Sequence, residues 1–220
     1  LAKEPFLLEN CCVVDREDKL MRKLGTGKVN RFCLFAGDTE AFIDPITGKH
    51  TTSMLIIKKI FDIPEEEKDP NHSDPFDEQK YYLWDLKPGT DVVHFGMTGF
   101  VGIYMTKVAH ELMKKENRPS GISDKQWEKF KDLVNEQYPF PTLWYLKDCM
   151  KKCGIKQKDT LLGEIGRPII YFHNLGYDVQ PFLSTFAPIK KEMVIKKGAV
   201  WYRASFKCKY GEFELRNSLT

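Results

Sequence analysis

The sequence predicts an α/β domain, because segments of two different hydrophobic patterns follow one another along the chain. Short apolar runs typical of buried strands stand at 32–36, 51–61 and 168–173. Longer segments at 123–137 and 142–153 carry apolar residues at helical spacing. The chain has 220 residues and is 42% hydrophobic, which is enough for one domain with a real core.

A β-hairpin is predicted near the start of this domain. Its first strand covers 32–36, and the sequence Asp-Pro-Ile-Thr-Gly at 44–48 is typical of a turn. Residues 51–61 are rich in β-branched side chains and form the second strand. Asp38 and Glu40 are therefore expected at the end of the first arm of the hairpin.

The remaining elements are predicted from the same patterns, and Ser123 is a suitable N-cap for the helix at 123–137. In chain order they are an exposed loop at 62–78, a strand at 80–86, helices at 103–116, 123–137 and 142–153, a strand at 168–173, a helix at 178–186, and strands at 193–195, 199–208 and 212–215. Before the hairpin, residues 1–30 form an extension with a short amphipathic helix at 15–24 and a turn at 25–28.

Asp38 and Glu40 are candidate metal ligands. Because side chains alternate along a strand, residues two apart leave the same face, and both carboxylates can reach one metal cluster. Carboxylate oxygens suit Mg²⁺ or Mn²⁺. A capping pair near the turn is the structural alternative. A second Asp-x-Glu, Asp15 and Glu17, leads into a charged segment, and the longer apolar run before Asp38 favours the later pair.

A third carboxylate, Asp178, follows the strand predicted at 168–173. Taken alone, it is a typical N-cap of the next helix. Taken together with Asp38 and Glu40, it indicates two buried strands that each deliver carboxylates at their ends. Two divalent ions about 4 Å apart can activate a water and stabilise the leaving oxygen of a phosphodiester.

The positive charge of the chain is unevenly distributed. The formal net charge is only +3, but residues 190–209 carry seven Lys or Arg against one acid, Glu192. On the predicted hairpin this basic stripe fits either a nearby phosphate backbone or a solvated face, with equal weight.

Cysteine spacing and hydropathy limit the class of protein. None of the six cysteines forms a Cys-x-x-Cys pair, which predicts reduced thiols in an intracellular protein. No run approaches the roughly 20 apolar residues of a membrane span, and the N-terminus lacks the apolar core of a signal peptide. The compartment is expected to be reducing: host cytoplasm, nucleus and mitochondrion are equally compatible.

Three motifs resemble those of one nuclease family. Asp38-Thr39-Glu40 resembles the first motif of DEDD-type 3′–5′ exonucleases, and Tyr-Phe-His-Asn-Leu-Gly-Tyr-Asp at 171–178 resembles their second, Asn-x-x-x-Asp. The second motif has the form found in proofreading domains of protein-primed family B DNA polymerases of phages, adenoviruses, linear plasmids and related mobile elements. Residues 215–219 resemble the Ser-Leu motif of that family. The resemblance covers about 32–61 and 165–220.

The resemblance implies an RNase H-like mixed sheet flanked by helices and a two-metal Mg²⁺ or Mn²⁺ site. The implied metal ligands and catalytic groups are Asp38, Glu40 and Asp178; the implied contacts to the 3′-terminal nucleotides are Asn174 and Tyr177; and the implied contacts to single-stranded DNA are Ser218 and Leu219. The implied partners are the 3′ end of single-stranded DNA, primer-template DNA and a terminal priming protein, with no membrane.

The sequence departs from the family pattern at several positions. Ala41 stands where the family often has Thr, and Asn217 stands where relatives often have Asp. The third motif, Tyr-x-x-x-Asp, lies after the Ser-Leu motif in the family, so the fourth carboxylate is expected beyond Thr220. We therefore expect the N-terminal part of a longer polymerase, with an exonuclease-like domain at 31–220 and an unmatched insertion at about 62–140.

Three functions compete at this point. The first is a metal-dependent 3′–5′ exonuclease domain that removes mispaired nucleotides for a protein-primed DNA polymerase. The second is a catalytically incomplete module of the same fold that binds DNA or another protein. The third is a stand-alone DEDD-type exonuclease, which the form of the second motif and Ser218-Leu219 disfavour.

Overall fold

A computed structural model describes residues 33–43, 45–46, 48, 50–60, 81–85, 91–186, 195–198 and 200–218, with the backbone alone at 81–85, 164–165 and 195–196. These residues belong to one compact unit, Phe32–Thr220. The extension predicted at 1–30, the loop predicted at 62–78 and Leu219 lie outside the described residues.

The described strands and helices follow one another in the predicted order, with one further short helix at Leu161–Ile165. The strands are β1 (Leu34–Ile43), β2 (His50–Lys59), β3 (Tyr81–Asp85), β4 (Ile169–Phe172), β5 (Ile195–Lys197), β6 (Val200–Lys207) and β7 (Glu212–Asn217). The α-helices are α1 (Val92–Met113), α2 (Asp124–Asn135), α3 (Leu143–Lys152), α4 (Leu161–Ile165) and α5 (Leu175–Thr185). Short 3₁₀ turns follow α1 at Lys115–Asn117 and precede α4 at Gln157–Asp159.

The seven strands form one mixed sheet in the order β3-β2-β1-β4-β7-β6-β5. β1, β2 and β3 make an antiparallel meander. β4 pairs in parallel with β1, and β7 pairs in parallel with β4. This arrangement of five strands is RNase H-like, which confirms the predicted fold class. β6 and β5 continue the sheet beyond β7 as an antiparallel hairpin.

α1 and α5 pack on one face of the sheet, called here the helix face. The ring of Phe35 on β1 meets Phe100 of α1 edge-on, with centroids 4.9 Å apart. Phe172 on β4 contacts Phe182 of α5 in the same way, at 5.7 Å. Buried aromatic rings therefore form much of the core between sheet and helices, where each removes a large apolar area from water.

α1 begins at Val92, so the helix predicted at 103–116 started too late. Three glycines in this segment lower its helix propensity. At one of them, Gly102, a Cβ would lie 3.0 Å from the Tyr210 ring, so the ring would have to shift by a few tenths of an ångström. Asp91 caps the true start: its Oδ1 accepts a hydrogen bond from the His94 N–H at 2.9 Å. Tertiary packing has outweighed local propensity here.

The predictions for α2 and α3 are confirmed, and both depend on side-chain caps. Ser123 and Gln126 form a capping box at the start of α2, in which each side chain bonds the backbone N–H of the other residue. Thr142 caps α3 by accepting from the Tyr145 N–H at 3.1 Å. These hydroxyl residues satisfy N–H groups that the first helical turn leaves unpaired.

α5 begins at Leu175, directly after β4, so Asp178 lies inside the first turn and the N-cap interpretation was wrong. The chain turns this tightly because Asn174 adopts a left-handed conformation, with φ 56° and ψ 59°. Asparagine tolerates this conformation better than most residues. Asp178 is consequently held against the end of the sheet, with only 5% of its surface exposed.

β1 runs through the Asp-Thr-Glu motif to Ile43, so Asp38 and Glu40 lie within the strand and not at its end. The turn at Pro45 and Ile46 and the pairing of β1 with β2 confirm the predicted hairpin. β4, in contrast, pairs with β1 only as far as Gly37. The outer part of the β1–β2 hairpin therefore projects beyond β4.

The longest described helix, α1, has 22 residues. Neither it nor any other described helix is long and apolar enough to cross a lipid bilayer.

Gly37→Ala tests the close packing of β1 against β4. A Cβ at Gly37 would lie 2.6 Å from Ile170 Cγ2 and 2.6 Å from Phe172 Cζ, so the neighbouring side chains must shift. We expect the variant to lose about 1–3 kcal/mol in the free energy of unfolding, measured with urea. Ala36→Ser, at an exposed position on the opposite face, is the control and should stay within about 0.5 kcal/mol. Equal stability of the two variants would contradict this packing.

Candidate active site

The candidate site lies at the carboxyl end of the central parallel strands. The pairing of β1 with β4 ends at Gly37 and Phe172, and the next residues of β1 are Asp38, Thr39 and Glu40. α5 starts three residues after β4 ends, so its first turn lies beside this part of β1. Ligand sites of open α/β sheets are commonly formed at this edge.

A hydrogen bond joins the two motifs across the site. The Thr39 hydroxyl donates to Oδ1 of Asp178, with 2.7 Å between the oxygen atoms. Both side chains are buried, with 7% and 5% of their surfaces exposed. The first turn of α5 is thereby fixed to β1 at the centre of the Asp-Thr-Glu motif.

The Asp178 carboxyl has a raised pKa. Burial is the largest cause, because it removes the charged form from water, and the negative charge of Asp38 raises the pKa further. The hydrogen bond from Thr39 acts in the opposite direction, since it stabilises the carboxylate. The Asp178 carboxyl is therefore harder to ionise than an exposed carboxyl would be.

Asp38 and Glu40 are exposed and leave β1 on the face opposite Thr39. Oδ1 of Asp38 accepts a hydrogen bond from the Thr39 backbone N–H at 3.0 Å. Next to Glu40 the register of β1 against β2 shifts, so that Ser53 is an extra residue on β2. The Ser53 hydroxyl donates to the Glu40 carbonyl at 3.2 Å. Bulges of this kind often re-aim side chains beside active sites.

The fit of these residues to a divalent metal is incomplete. Their oxygen donors are of the type that Mg²⁺ and Mn²⁺ prefer. Within the described ranges, however, no three His, Cys, Asp or Glu side chains are grouped to hold a metal ion. One oxygen of Asp178 is directed to Thr39, whereas Asp38 and Glu40 leave the other face of the strand. A metal bound jointly by all three carboxylates requires these side chains to move.

Tyr177 and Asn174 lie on the solvent side of the same turn. The Tyr177 side chain is 52% exposed, and Asn174 is exposed as well. The Tyr177 hydroxyl lies 3.5 Å from Nδ1 of His50, the first residue of β2, and the two rings meet edge-on. This contact connects α5 to the outer part of the β1–β2 hairpin and leaves a face of the Tyr177 ring accessible.

Ser218 lies beside the end of β4. Its backbone N–H donates to the Phe172 carbonyl at 2.9 Å, which extends the pairing of β7 with β4 by one residue. The preceding Asn217 is buried, and its side-chain amide donates to the Trp201 carbonyl at 2.9 Å. The structure therefore brings Ser218 to the edge of the sheet that holds Asp178, and Leu219 lies outside the described residues.

Sequence reasoning missed two residues of the site. Thr39 was treated only as the spacer of the Asp-x-Glu motif, although its position on the opposite face of a strand made it the residue directed to the helices. His50 carried no signal in the sequence, because its contact with Tyr177 spans 127 positions and depends on the length of the hairpin.

The described cysteines are structural. Cys33, Cys149 and Cys153 are buried thiols, and the Cys208 thiol is partly buried. Burial raises the pKa of Cys33 to about 11, so little reactive thiolate exists at neutral pH.

No protein-family model, curated protein or solved structure matches the chain. What the site can do is therefore inferred from its own residues.

Asp178→Asn tests the electrostatics of the site. The folded chain raises the pKa of Asp178 above its value of about 3.9 in the unfolded chain, so the ionised carboxylate costs stability at neutral pH and its protonation removes the cost. We expect the variant to have a higher free energy of unfolding at pH 7. This gain should shrink as the pH falls through the folded pKa of Asp178 and vanish below about pH 3.9. Urea unfolding across this range measures it.

Asp132→Asn, at an exposed position on α2, controls for the loss of one negative charge. A loss of stability at pH 7 in Asp178→Asn, with no change in the control, would contradict the electrostatic account.

Proposed function

We propose that the chain is a metal-dependent 3′–5′ exonuclease domain that removes mispaired 3′-terminal nucleotides from single-stranded DNA for a protein-primed DNA polymerase. One observation carries the proposal. An RNase H-like sheet places Asp38 and Glu40 on β1, next to the end of β4, and the hydroxyl of Thr39 between them bonds Asp178. The hydrogen bond between residues 139 positions apart supports a shared site for the two motifs.

Asp38, Glu40 and Asp178 are the proposed metal ligands. The buried carboxylate of Asp178 is poorly hydrated, so its charged form gains more from a nearby cation than an exposed carboxylate would. Thr39 orients that carboxylate through its hydroxyl. Bound Mg²⁺ or Mn²⁺ would supply Lewis-acid stabilisation of the charge that develops on the phosphodiester.

Tyr177, Asn174 and Ser218 are the proposed contacts to the end of the DNA strand. The half-exposed ring of Tyr177 offers a surface on which a terminal base can stack, and such stacking tolerates any base. Asn174 adds an exposed amide one turn away, and Ser218 lies at the adjacent strand end. Leu219 is a further proposed contact to single-stranded DNA. The other proposed partners are primer-template DNA and a priming protein.

A second candidate function is binding without catalysis. It is favoured by the described side chains themselves, among which no three potential ligands are grouped for a metal. In this case the fold would bind single-stranded DNA, or another protein, through the same edge of the sheet.

Metal binding and hydrolysis separate the two candidates. We expect Mn²⁺ to bind the 220-residue chain, as measured by calorimetry. The substitutions Asp38→Asn and Asp178→Asn should each weaken the affinity for Mn²⁺ by about tenfold or more. Degradation of a 5′-labelled oligonucleotide should proceed from its 3′ end and fall by about 100-fold or more in both variants. Each loses one negative charge, so Asp132→Asn again serves as the control.

Unchanged Mn²⁺ binding and hydrolysis in Asp38→Asn and Asp178→Asn would overturn the site. If the chain binds the oligonucleotide but hydrolyses none of it at any Mg²⁺ or Mn²⁺ concentration, the second candidate is supported.

Tyr177→Ala tests the stacking surface. We expect the affinity for a single-stranded oligonucleotide, measured by fluorescence anisotropy in EDTA, to fall by about 1–3 kcal/mol, the scale of one base stacked on an aromatic ring. Phe95→Ala is a matched control, because Phe95 is 59% exposed near the start of another helix, α1. An equal effect of the two substitutions would argue against a specific role of Tyr177.

A further inference from the structure

Three arginines surround one buried carboxylate on the face of the sheet opposite the helix face. Arg167, Arg203 and Arg216, called here the arginine cluster, each form an ion pair with Glu214 of β7. Arg203 lies on β6, Arg216 on β7, and Arg167 shortly before β4. The Glu214 side chain has no exposed surface at all, whereas 21–30% of each arginine side chain is exposed.

The two oxygens of Glu214 cannot accept hydrogen bonds from all the N–H donors of the arginine cluster. Oε1 lies 2.6 Å from Nε of Arg216 and 3.0 Å from Nε of Arg203, and Oε2 lies 3.0 Å from an Nη of Arg167. The Ser205 hydroxyl also donates to Oε2, at 3.3 Å. The buried Nε of Arg203 lacks the alignment of a hydrogen bond, so Arg203 is held by charge.

The positive charge of the cluster exceeds the negative charge near it. Three guanidinium groups face Glu214, and Glu212 lies farther away, with 3.9 Å between its Oε2 and an Nη of Arg167. Arg216 gives one Nη to the Tyr171 hydroxyl at 3.3 Å. In the part of the chain that the structure describes, the Nη groups of Arg203 form no hydrogen bond or ion pair. Planar guanidinium donors that reach solvent match the geometry of a phosphate group.

The register of the sheet relates the cluster to Asp38. Ala36, Tyr171, Arg216 and Arg203 lie side by side on β1, β4, β7 and β6, so their side chains share one face. Asp38 follows Ala36 by two residues and leaves the same face. Three interstrand steps, about 14 Å, separate the strand of Asp38 from that of Arg203. A single-stranded nucleic acid with its 3′ end at Asp38 can therefore lie across this face of the sheet.

We propose that the arginine cluster is a phosphate-binding site for the backbone of the nucleic acid strand, upstream of the end at Asp38. That the phosphate belongs to a DNA strand rests on the proposed function; that the site binds a phosphate rests on the arginines themselves. One of the seven basic residues in the stripe at 190–209, Arg203, thus has a specific role, and phosphate contacts of this kind position a strand without reading its sequence.

Had the cluster served only to neutralise Glu214, one arginine would suffice. Arg203 has the weakest hold on the carboxylate and the largest exposed fraction of the three, 30%, so it is the residue to test. Arg216 and Arg167 remain to compensate Glu214 when Arg203 is replaced.

The test measures binding of a fluorescein-labelled 12-mer of thymidylate in EDTA, where no metal-dependent hydrolysis occurs, at several salt concentrations. For Arg203→Gln we expect about fivefold weaker binding at 0.1 M salt and a salt slope smaller by about 0.7, the loss of one phosphate contact. Arg203→Lys keeps the charge and should restore the slope. Arg118→Gln is the control, because Arg118 lies in the loop before α2, is 29% exposed and forms an ion pair with Asp124. Thermal melting shows whether each variant is folded.

Folded Arg203→Gln with the affinity and salt slope of the unchanged chain would overturn the proposal. It is also overturned if Arg203→Gln weakens binding of inorganic phosphate, measured by calorimetry, but not of the oligonucleotide, since the ligand is then a small phosphate compound. If the chain hydrolyses no DNA, but binding in EDTA still depends on Arg203, the exonuclease proposal fails while the phosphate site stands.

Discussion

The site depends on the point at which β1 stops pairing with β4. Parallel pairing ends at Gly37 and Phe172, and the side chains of Ile170 and Phe172 occupy the space where a side chain at Gly37 would lie. β1 then continues alone with β2, so its polar motif leaves the shared core at the position where α5 begins. The hydrogen bond between Thr39 and Asp178 closes this junction. Side chains from both faces of β1, such as Asp38 and Thr39, therefore lie at one edge of the sheet.

Two kinds of buried carboxylate show how the chain distributes its charges. Glu214 is fully buried and compensated by three guanidinium groups, which satisfies the general requirement that interior charges be paired. Asp178 is nearly as buried, and burial raises its pKa more than the hydrogen bonds to Thr39 lower it. A buried acid with a perturbed pKa is typical of functional positions.

Strand alternation, caps and turn residues act locally, so they predicted the α/β class and most elements. The RNase H-like sheet and a shared site for the two motifs were implied by the family resemblance. The start of α1 was missed because its glycines lower the local helix propensity, whereas the burial of Val92, Val93 and Met97 that favours the helix is not visible in a local pattern. The prediction that Asp178 is an N-cap was wrong because the helix begins at Leu175, after Asn174, about one helical turn before Asp178. His50 and the arginine cluster were unpredictable for a different reason: their partners are fixed only by the register of distant strands.

Parallel pairing also has a consequence for how the molecule folds. The β1–β2 hairpin forms from neighbouring residues, but Thr39 and Asp178 are 139 positions apart and meet only when β4 has joined β1. Closing such a long loop is entropically costly and slow, so this contact belongs to the late, non-local part of assembly. Emerging from the ribosome, the chain exposes Asp38 and Glu40 long before Asp178 has been synthesised. The junction between β1 and α5 therefore exists only in a finished sheet.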